Sequence, residues 1–137
     1  MHTTKVRVRY AETDQMGVAY NVNYFVWFEV GRTEYMRDIN IPYKALEGKG
    51  IFMPVVENFC HYVKPAMYDQ VLTINTKIAE LKAATIKFQY EILNGVELLA
   101  EGYVRLAFTD KNMKPINLKK VDRELWETLN KYCEADE

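Results

Sequence analysis

The chain has 137 residues, of which 49 % are hydrophobic and 13 % aromatic, which suits a packed globular core and argues against disorder. Eighteen basic and nineteen acidic side chains leave a net charge of −1, so charge gives no reason to expect nucleic acid or an anionic membrane as a partner. Cys60 and Cys133 could form one disulfide but lack metal-ligand spacing, and no apolar run approaches the roughly 18 residues of a membrane span. Composition therefore predicts a single soluble domain over residues 1–137, with reduced thiols in the cytoplasm.

The first predicted elements are a strand and a long helix. Residues 3–10 alternate charged and apolar side chains, which is the period of a strand with one buried face. Residues 21–38 contain no proline, and apolar side chains cover nearly every direction of the first turns, which predicts a helix buried on all sides. Such a helix would span roughly 27 Å, about the width of a small domain. We therefore expect the rest of the chain to wrap around it.

A loop and two strands are predicted next. Residues 39–50 contain proline and glycine and favour a loop with at most one helical turn. Residues 51–63 are typical of a strand with an irregularity at Pro54, because proline cannot donate to a sheet ladder. A further strand covers about residues 70–81, with alternate apolar side chains on one face.

The clearest strand signal lies in the second half of the chain. Residues 85–93 alternate strictly and are followed by Asn94-Gly95, the strongest short signal for a hairpin turn, and by a return strand over 96–109. A terminal amphipathic helix is predicted from apolar residues that recur every fourth position, namely Val121, Leu125, Leu129 and Cys133. The order of elements predicts an α+β fold, in which an antiparallel sheet curls around one helix and a second helix lies on the surface. Because such a sheet leaves exposed edges, we expect a homodimer or homotetramer.

A candidate reactive site stands at the start of the long helix. Asn21 or Asn23 could cap this helix, and its first amide N–H groups have no partner within the helix. Those donors, with the helix dipole, favour negative charge or a polarised carbonyl oxygen. Asp14 lies seven residues upstream of Asn21 across a turn that Gly17 permits. Its carboxylate could attack a carbonyl that these donors polarise, or could activate water to attack it, although an aspartate in a turn also commonly serves structure alone.

The residues around this site resemble the opening of the hotdog-fold acyl-CoA thioesterases of the 4-hydroxybenzoyl-CoA thioesterase family. The resemblance is carried by Arg9-Tyr10, Glu12-Thr13-Asp14, Gly17-Val18, Tyr20, Asn23-Tyr24, Phe28-Glu29 and Arg32-Thr33-Glu34. It implies a hotdog fold, Asp14 as the catalytic carboxylate, the Asn21 amide as carbonyl donor, and active sites at the interface of paired subunits. Many relatives carry histidine where this chain has Asn21, which leaves the backbone amide in place and removes a side chain that could take up a proton.

Other residues are candidates for binding the substrate. We predict contacts with the acyl group or coenzyme A for Gly17, Tyr20, Tyr24, Phe59, Tyr62, Lys82 and Thr85, where the aromatic side chains could equally be core and the lysine could equally be solvated. Glu29 could be a second active carboxylate, but Arg32 three residues later favours a structural ion pair. His61 is expected to be structural.

The predicted function is hydrolysis of an acyl-CoA thioester to free acid and coenzyme A, with no metal and no cofactor, and with Asp14 as base or nucleophile. A non-catalytic acyl-CoA-binding hotdog protein is the alternative from another class. A hotdog dehydratase or hydratase would need a histidine paired with an acid, and neither His2 nor His61 is placed for that role. The acyl group and the number of subunits stay open.

Overall fold

A computed structural model describes residues 1–134 of the chain, and the last three residues of the predicted domain lie outside the described part. The five strands are β1 (His2–Arg7), β2 (Val55–Tyr62), β3 (Val71–Leu81), β4 (Thr85–Asn94) and β5 (Glu97–Ala107). The four α-helices in this part are α1 (Asn23–Asp38), α2 (Tyr43–Gly48), α3 (Leu118–Val121) and α4 (Arg123–Tyr132). All strands join one antiparallel sheet in the order β1-β3-β4-β5-β2. With α1 packed against it, this sheet forms the predicted α+β hotdog fold.

The middle of the sheet follows directly from the alternation of the sequence. On β4, Ile86, Phe88, Tyr90 and Ile92 are buried on the face toward α1. Asn94 pairs with Glu97 across the predicted turn, and Gly95 has a φ of +64°, which a side chain would disfavour. The hairpin prediction is confirmed.

Helix α1 crosses the sheet with only part of its circumference buried. Phe28 stacks on Tyr90 with ring centroids 4.3 Å apart. Gly31 lets the helix approach the sheet closely, since a Cβ there would lie 2.5 Å from Thr76 Oγ1. Val22 and Val26 are 53 % and 42 % exposed, so the prediction that this helix is buried on all sides is wrong for the isolated chain. The reason is that one sheet covers only one side of a helix.

Three further boundaries differ from prediction. Helix α2 has six residues rather than one turn, because the Pro42 carbonyl accepts from both Ala45 N and Leu46 N. Strand β2 begins after Pro54 rather than at residue 51. The predicted terminal helix is split into α3 and α4 because Asp122 leaves helical geometry and accepts at Oδ1 from Leu125 N (3.1 Å).

Strand β2 forms an edge of the sheet and is unusually exposed. Seven of its eight residues are exposed, and the eighth, Cys60, is partly buried. The exposed apolar side chains on and beside this strand are Val55, Val56, Phe59, Tyr62 and Val63. Within residues 1–134, no helix is both long and apolar enough to cross a membrane.

Candidate active site

Asp14 lies in a small hairpin between β1 and α1. Its amide donates to Val18 O (2.9 Å), and Gly17 N donates to its carbonyl (3.0 Å). The side-chain Oδ1 accepts from Met16 N at 2.8 Å, which closes an Asx turn. Gly17 has a φ of +80°, so this turn depends on glycine. Asp14 therefore braces its own loop, and its second carboxylate oxygen carries no hydrogen bond within the described chain.

The chain enters α1 without the predicted asparagine cap. Val22 is the residue that precedes the helix and already has helical dihedral angles, with no side-chain cap. Asn23 instead donates through Nδ2 to Glu12 O (2.9 Å). The prediction that Asn21 or Asn23 caps the helix is therefore wrong, because Asn23 is recruited by the segment before Asp14.

The amides at the start of α1 are available to a ligand. Among the described residues, the Asn21 and Val22 amides donate to no backbone carbonyl. The Asn21 carbonyl accepts from Tyr62 Oη at 3.0 Å, which fixes the plane of the neighbouring peptide group. Two free N–H groups in succession suit one oxygen that carries negative charge.

A cleft of about 240 Å³ opens beside these amides. It is lined by Ala19, Asn21, Tyr24, Tyr62, Val63, Lys64 and Pro65. The hairpin that carries Asp14 reaches this cleft through Ala19, which bridges to Thr13 and donates to Ala66 O (2.8 Å). Asp14 and the Asn21 amide are thus held by one short hairpin on one side of the cleft.

The tyrosines of the cleft remain protonated over the neutral range. The Tyr24 hydroxyl accepts from Ala66 N (3.0 Å), and burial raises its pKa more than this bond lowers it. Burial, with Cys60 nearby, raises the pKa of Tyr62 to about 12. Burial also raises the pKa of the Cys60 thiol to about 11. The two tyrosines line the cleft and can donate hydrogen bonds, but neither they nor Cys60 is a base at neutral pH.

The structure separates the remaining predicted binding residues from this cleft within one chain. Phe59 pairs with Tyr103 in register and stacks on its ring (5.6 Å) on the sheet face away from α1. Lys82 and Thr85 flank the turn between β3 and β4, at the opposite end of the sheet from the Asn94-Gly95 turn and the end of β2. Lys82 Nζ lies 3.3 Å from Glu80 Oε1. These three residues could contact the same substrate only from a neighbouring subunit.

Gly17 and Tyr20 lie on the hairpin itself. Tyr20 donates its amide to Glu12 O (2.7 Å), and its side chain is 53 % exposed. Gly17 is exposed at the tip, with open space where a Cβ would be. Both residues lie close to Asp14 along the chain, but neither lines the cleft.

Arg32 does not form the predicted direct ion pair with Glu29 within residues 1–134. Glu29 is exposed, whereas Arg32 is only 8 % exposed and faces the hydroxyls of Tyr90 and Tyr43. Those hydroxyls have no partner at ordinary hydrogen-bond distance in the described chain, so the attraction is electrostatic. Burial opposes the charge of Arg32, but Tyr90, Tyr43 and the carboxylate of Glu29 together outweigh it and raise the pKa of the guanidinium.

Neither histidine stands at the cleft. His2 Nε2 lies 2.6 Å from Asp38 Oδ2 at the far end of α1. His61 lies on β2, where it pairs with Glu101 of β5, and its side chain is on the opposite face of β2 from Tyr62. A hotdog dehydratase would need a histidine paired with an acid at the site, and neither His2 nor His61 is placed there.

Two site residues were assigned no role in the sequence analysis. Glu12 is buried (4 % exposed) and bonds to Trp27 on α1, and Lys64 lines the cleft while pairing with Glu97 (3.0 Å). The signal for Lys64 was its position directly before Pro65, in the turn that follows β2. Glu12 offered only its place two residues before Asp14.

Comparison with known proteins places this geometry in a family. A model of the thioesterase-like superfamily matches residues 8–125. The chain belongs to this superfamily. Two relatives, described as the putative acyl-CoA thioesterase YneP of Bacillus subtilis and the acyl-CoA thioesterase YbgC of Haemophilus influenzae, are 39 % and 34 % identical to this chain. The matches cover 88 % of this chain and 90 % of YneP, and 84 % of this chain and 86 % of YbgC.

A solved structure of the superfamily agrees over nearly the whole chain. The DHNA-CoA thioesterase from Staphylococcus aureus superposes with a TM-score of 0.90 at 33 % sequence identity. The match covers 94 % of this chain and 88 % of that one. The Asp14 hairpin, α1 and the cleft all lie within the matched core of residues 8–125.

Proposed function

We propose that this chain hydrolyses acyl-CoA thioesters to a free acid and coenzyme A. The observation that carries the proposal is that one short hairpin carries Asp14 at its turn and leads directly into two amides at the start of α1 that donate to no backbone carbonyl, in a chain of the thioesterase-like superfamily. A thioester carbonyl needs donors for its oxygen and a carboxylate to promote attack on its carbon. Residues 14–22 carry both the carboxylate and the donors.

The proposed reaction begins when the thioester oxygen accepts from the Asn21 amide, with the Val22 amide as a second donor. Donors aimed at a developing oxyanion are typically worth about 10²–10³ in turnover. Asp14 then either removes a proton from an attacking water or attacks the carbonyl carbon itself to form an anhydride that water cleaves. In both routes the bond from the carbonyl carbon to sulfur breaks, and the thiolate of coenzyme A leaves and takes up a proton.

The active site is completed by a second subunit in this proposal. Strand β2 is an edge with exposed apolar side chains, and pairing it with β2 of another copy would continue the sheet and cover them. The exposed Val22, directly before α1, supports a partner on that side, because it borders the same site. Such pairing is also the way in which Phe59, Lys82 or Thr85 could contact a substrate bound near Asn21.

The chemistry of the cleft suits a coenzyme A tail. Lys64 is the cationic residue on its wall, and a phosphate could displace Glu97 from the exposed ammonium. Tyr24 and Tyr62 present aromatic surface that accepts a ring or an aliphatic chain, so both acyl classes stay in the proposal. No disulfide joins Cys60 to Cys133, which is consistent with the cytoplasmic location proposed here.

Thiol release from a panel of short, medium, long and aromatic acyl-CoAs tests the function. We expect turnover with at least one class, and the class with the highest kcat/KM identifies the acyl pocket. A non-catalytic acyl-CoA-binding protein would instead bind coenzyme A esters without releasing thiol. That result, obtained with folded protein at concentrations where it has assembled, would refute hydrolysis.

A further inference from the structure

The carboxylate of Glu12 is buried against α1, directly before the hairpin that carries Asp14. Glu12 ends a 3₁₀ turn at Tyr10–Glu12 and is 4 % exposed. Its Oε1 accepts from Arg9 N (2.8 Å), and its Oε2 accepts from Trp27 Nε1 (3.0 Å). The indole is itself 2 % exposed, one turn into α1. The side chain therefore ties the segment before Asp14 to the first turns of the helix.

The backbone of Glu12 makes a second tie to the same helix start. Its carbonyl accepts from Tyr20 N (2.7 Å) and from Asn23 Nδ2 (2.9 Å). Tyr20 directly precedes Asn21, and Asp14 follows Glu12 by two residues. Glu12 thus stands at the start of the Asp14 hairpin, its carbonyl holds the far end of the hairpin at Tyr20, and its side chain fastens this base to α1 through Trp27.

Burying the Glu12 carboxylate has a free-energy cost that an apolar side chain would not have. Removing a carboxylate from water costs several kcal/mol unless hydrogen bonds and an ion pair compensate it. The cation nearest to Glu12 is Arg9, whose Nε lies 3.5 Å from Oε1 and whose side chain is 73 % exposed, so screening weakens the pair. An apolar side chain would fill the same space at lower cost. Glu12 contributes two acceptor oxygens, one for the Arg9 amide and one for the Trp27 indole, which an apolar side chain cannot supply.

We propose that Glu12 is a positioning residue, whose buried carboxylate sets the placement of Asp14 relative to the Asn21 amide. The inference rests on the proposed thioester hydrolysis. Glu12 does not touch the substrate, and it acts by fixing α1 against the 3₁₀ turn through Trp27 and Arg9. A reacting carboxylate displaced by about 1 Å loses up to about 10² in rate, while substrate binding depends on other contacts.

Glu12→Gln tests the inference, with kinetics on the acyl-CoA that gives the highest turnover in the panel. Glutamine has the same length but only one acceptor oxygen, so its NH₂ group must face the Arg9 amide or the Trp27 indole, which are both donors. We expect kcat to fall about 10- to 10²-fold with KM changed less than about threefold. The indole N–H resonance of Trp27 in a ¹⁵N-labelled sample should shift.

Trp27→Phe removes the same bond from the other side and keeps an aromatic ring in the core. We expect kcat to fall in the same direction, and the double variant Glu12→Gln, Trp27→Phe to lose less than the product of the two single losses, because the shared bond can be lost only once. Glu127→Gln is the matched control, since this exposed glutamate pairs with Arg123 on α4. Its kinetics should match those of the native chain.

The outcomes separate this inference from the proposed function. Suppose that the native chain releases thiol and that each single variant keeps kcat per folded molecule within twofold of the native value. That result would refute the positioning role of Glu12 and leave the proposed hydrolysis standing. If Glu12→Gln does not fold, Trp27→Phe alone decides in the same way. No thiol release by the native chain with any acyl-CoA would refute the proposed function and this inference with it.

Discussion

Replacing Asp14 by asparagine separates its charge from its structural bond. Asparagine keeps an Oδ1 that can accept from Met16 N, so the Asx turn now closed at 2.8 Å should persist. The side chain is partly exposed, and losing the charge on one hydrogen bond should cost less than about 1 kcal/mol of unfolding free energy, or about 4 °C in Tm. The hairpin, the Asn21 amide and the cleft should remain.

The chemical step should respond very differently. Neither a nucleophile nor a general base survives loss of the carboxylate, so kcat should fall at least ~10²-fold, which corresponds to about 2.7 kcal/mol in activation free energy. Thiol release measured with a chromogenic disulfide gives kcat and KM, and a thioether analogue of the acyl-CoA reports binding without turnover. We expect the analogue to bind Asp14→Asn with nearly native affinity.

The chain offers a matched control for this substitution. Asp110 closes the same kind of turn, with Oδ1 accepting from Asn112 N at 2.8 Å, in the loop after β5. Asp110→Asn should therefore have a similar effect on Tm and none on kcat. Turnover of Asp14→Asn above a tenth of the native value, or equal losses in both variants, would show that Asp14 is structural. Glu29→Gln would then be the next variant to measure.

Three further predictions concern the sheet. Gly102→Ala should lower the free energy of unfolding by about 1–3 kcal/mol, measured with urea. The added Cβ would lie 2.1 Å from Phe59 O and 3.1 Å from Phe28 Cε2, and it would push β2 away from β5. An unchanged urea midpoint would contradict this packing. Sedimentation should give a dimer or tetramer, and Phe59→Lys on the exposed edge should weaken it, whereas a fully active native monomer would exclude the shared site. Unfolding free energy should fall as pH rises from about 9 to 11, because burial raises the pKa of Cys60 from 9.0 to about 11 and the unfolded chain therefore loses this proton first. Tyr62, whose pKa rises from 10.0 to about 12, extends the loss to higher pH, and a Cys60→Ala variant with an unchanged slope between pH 9 and 11 would contradict the assignment.

The parts of the fold that the sequence predicts well are those with local causes. Strands β3, β4 and β5 alternate with period two and are joined by short turns, so each side chain's face follows from its neighbours in sequence. The α+β arrangement of one sheet around one helix followed from their order together with the long helix, and the resemblance to the thioesterase family implied the hotdog fold. The Asp14 hairpin was predictable for the same reason, since Gly17 and the Asx turn lie within four residues of each other.

The missed features depend on contacts between distant residues. Glu12 gains its role from Trp27, fifteen positions later, and Asn23 prefers the Glu12 carbonyl to the helix cap. Local helix-capping rules cannot anticipate such a competitor. Lys82, which was predicted to contact coenzyme A, lies away from the Asn21 cleft of its own chain, because the pairing of distant strands decides which end of the sheet each turn occupies.

The order of the strands also has a consequence for how the chain folds. The central three strands form through two short hairpins, whereas pairing β1 with β3 brings His2 to Thr76 and pairing β2 with β5 brings Val55 to Leu106. Closing such long loops loses chain entropy before the new contacts offset that loss. We therefore expect the meander of β3, β4 and β5 to form first and both edge strands to pair with it late. Until then the meander has two unprotected edges, and β2 arrives with its own outer edge still open. Refolding yield should therefore fall with protein concentration whenever docking of the edge strands is slower than collision between chains.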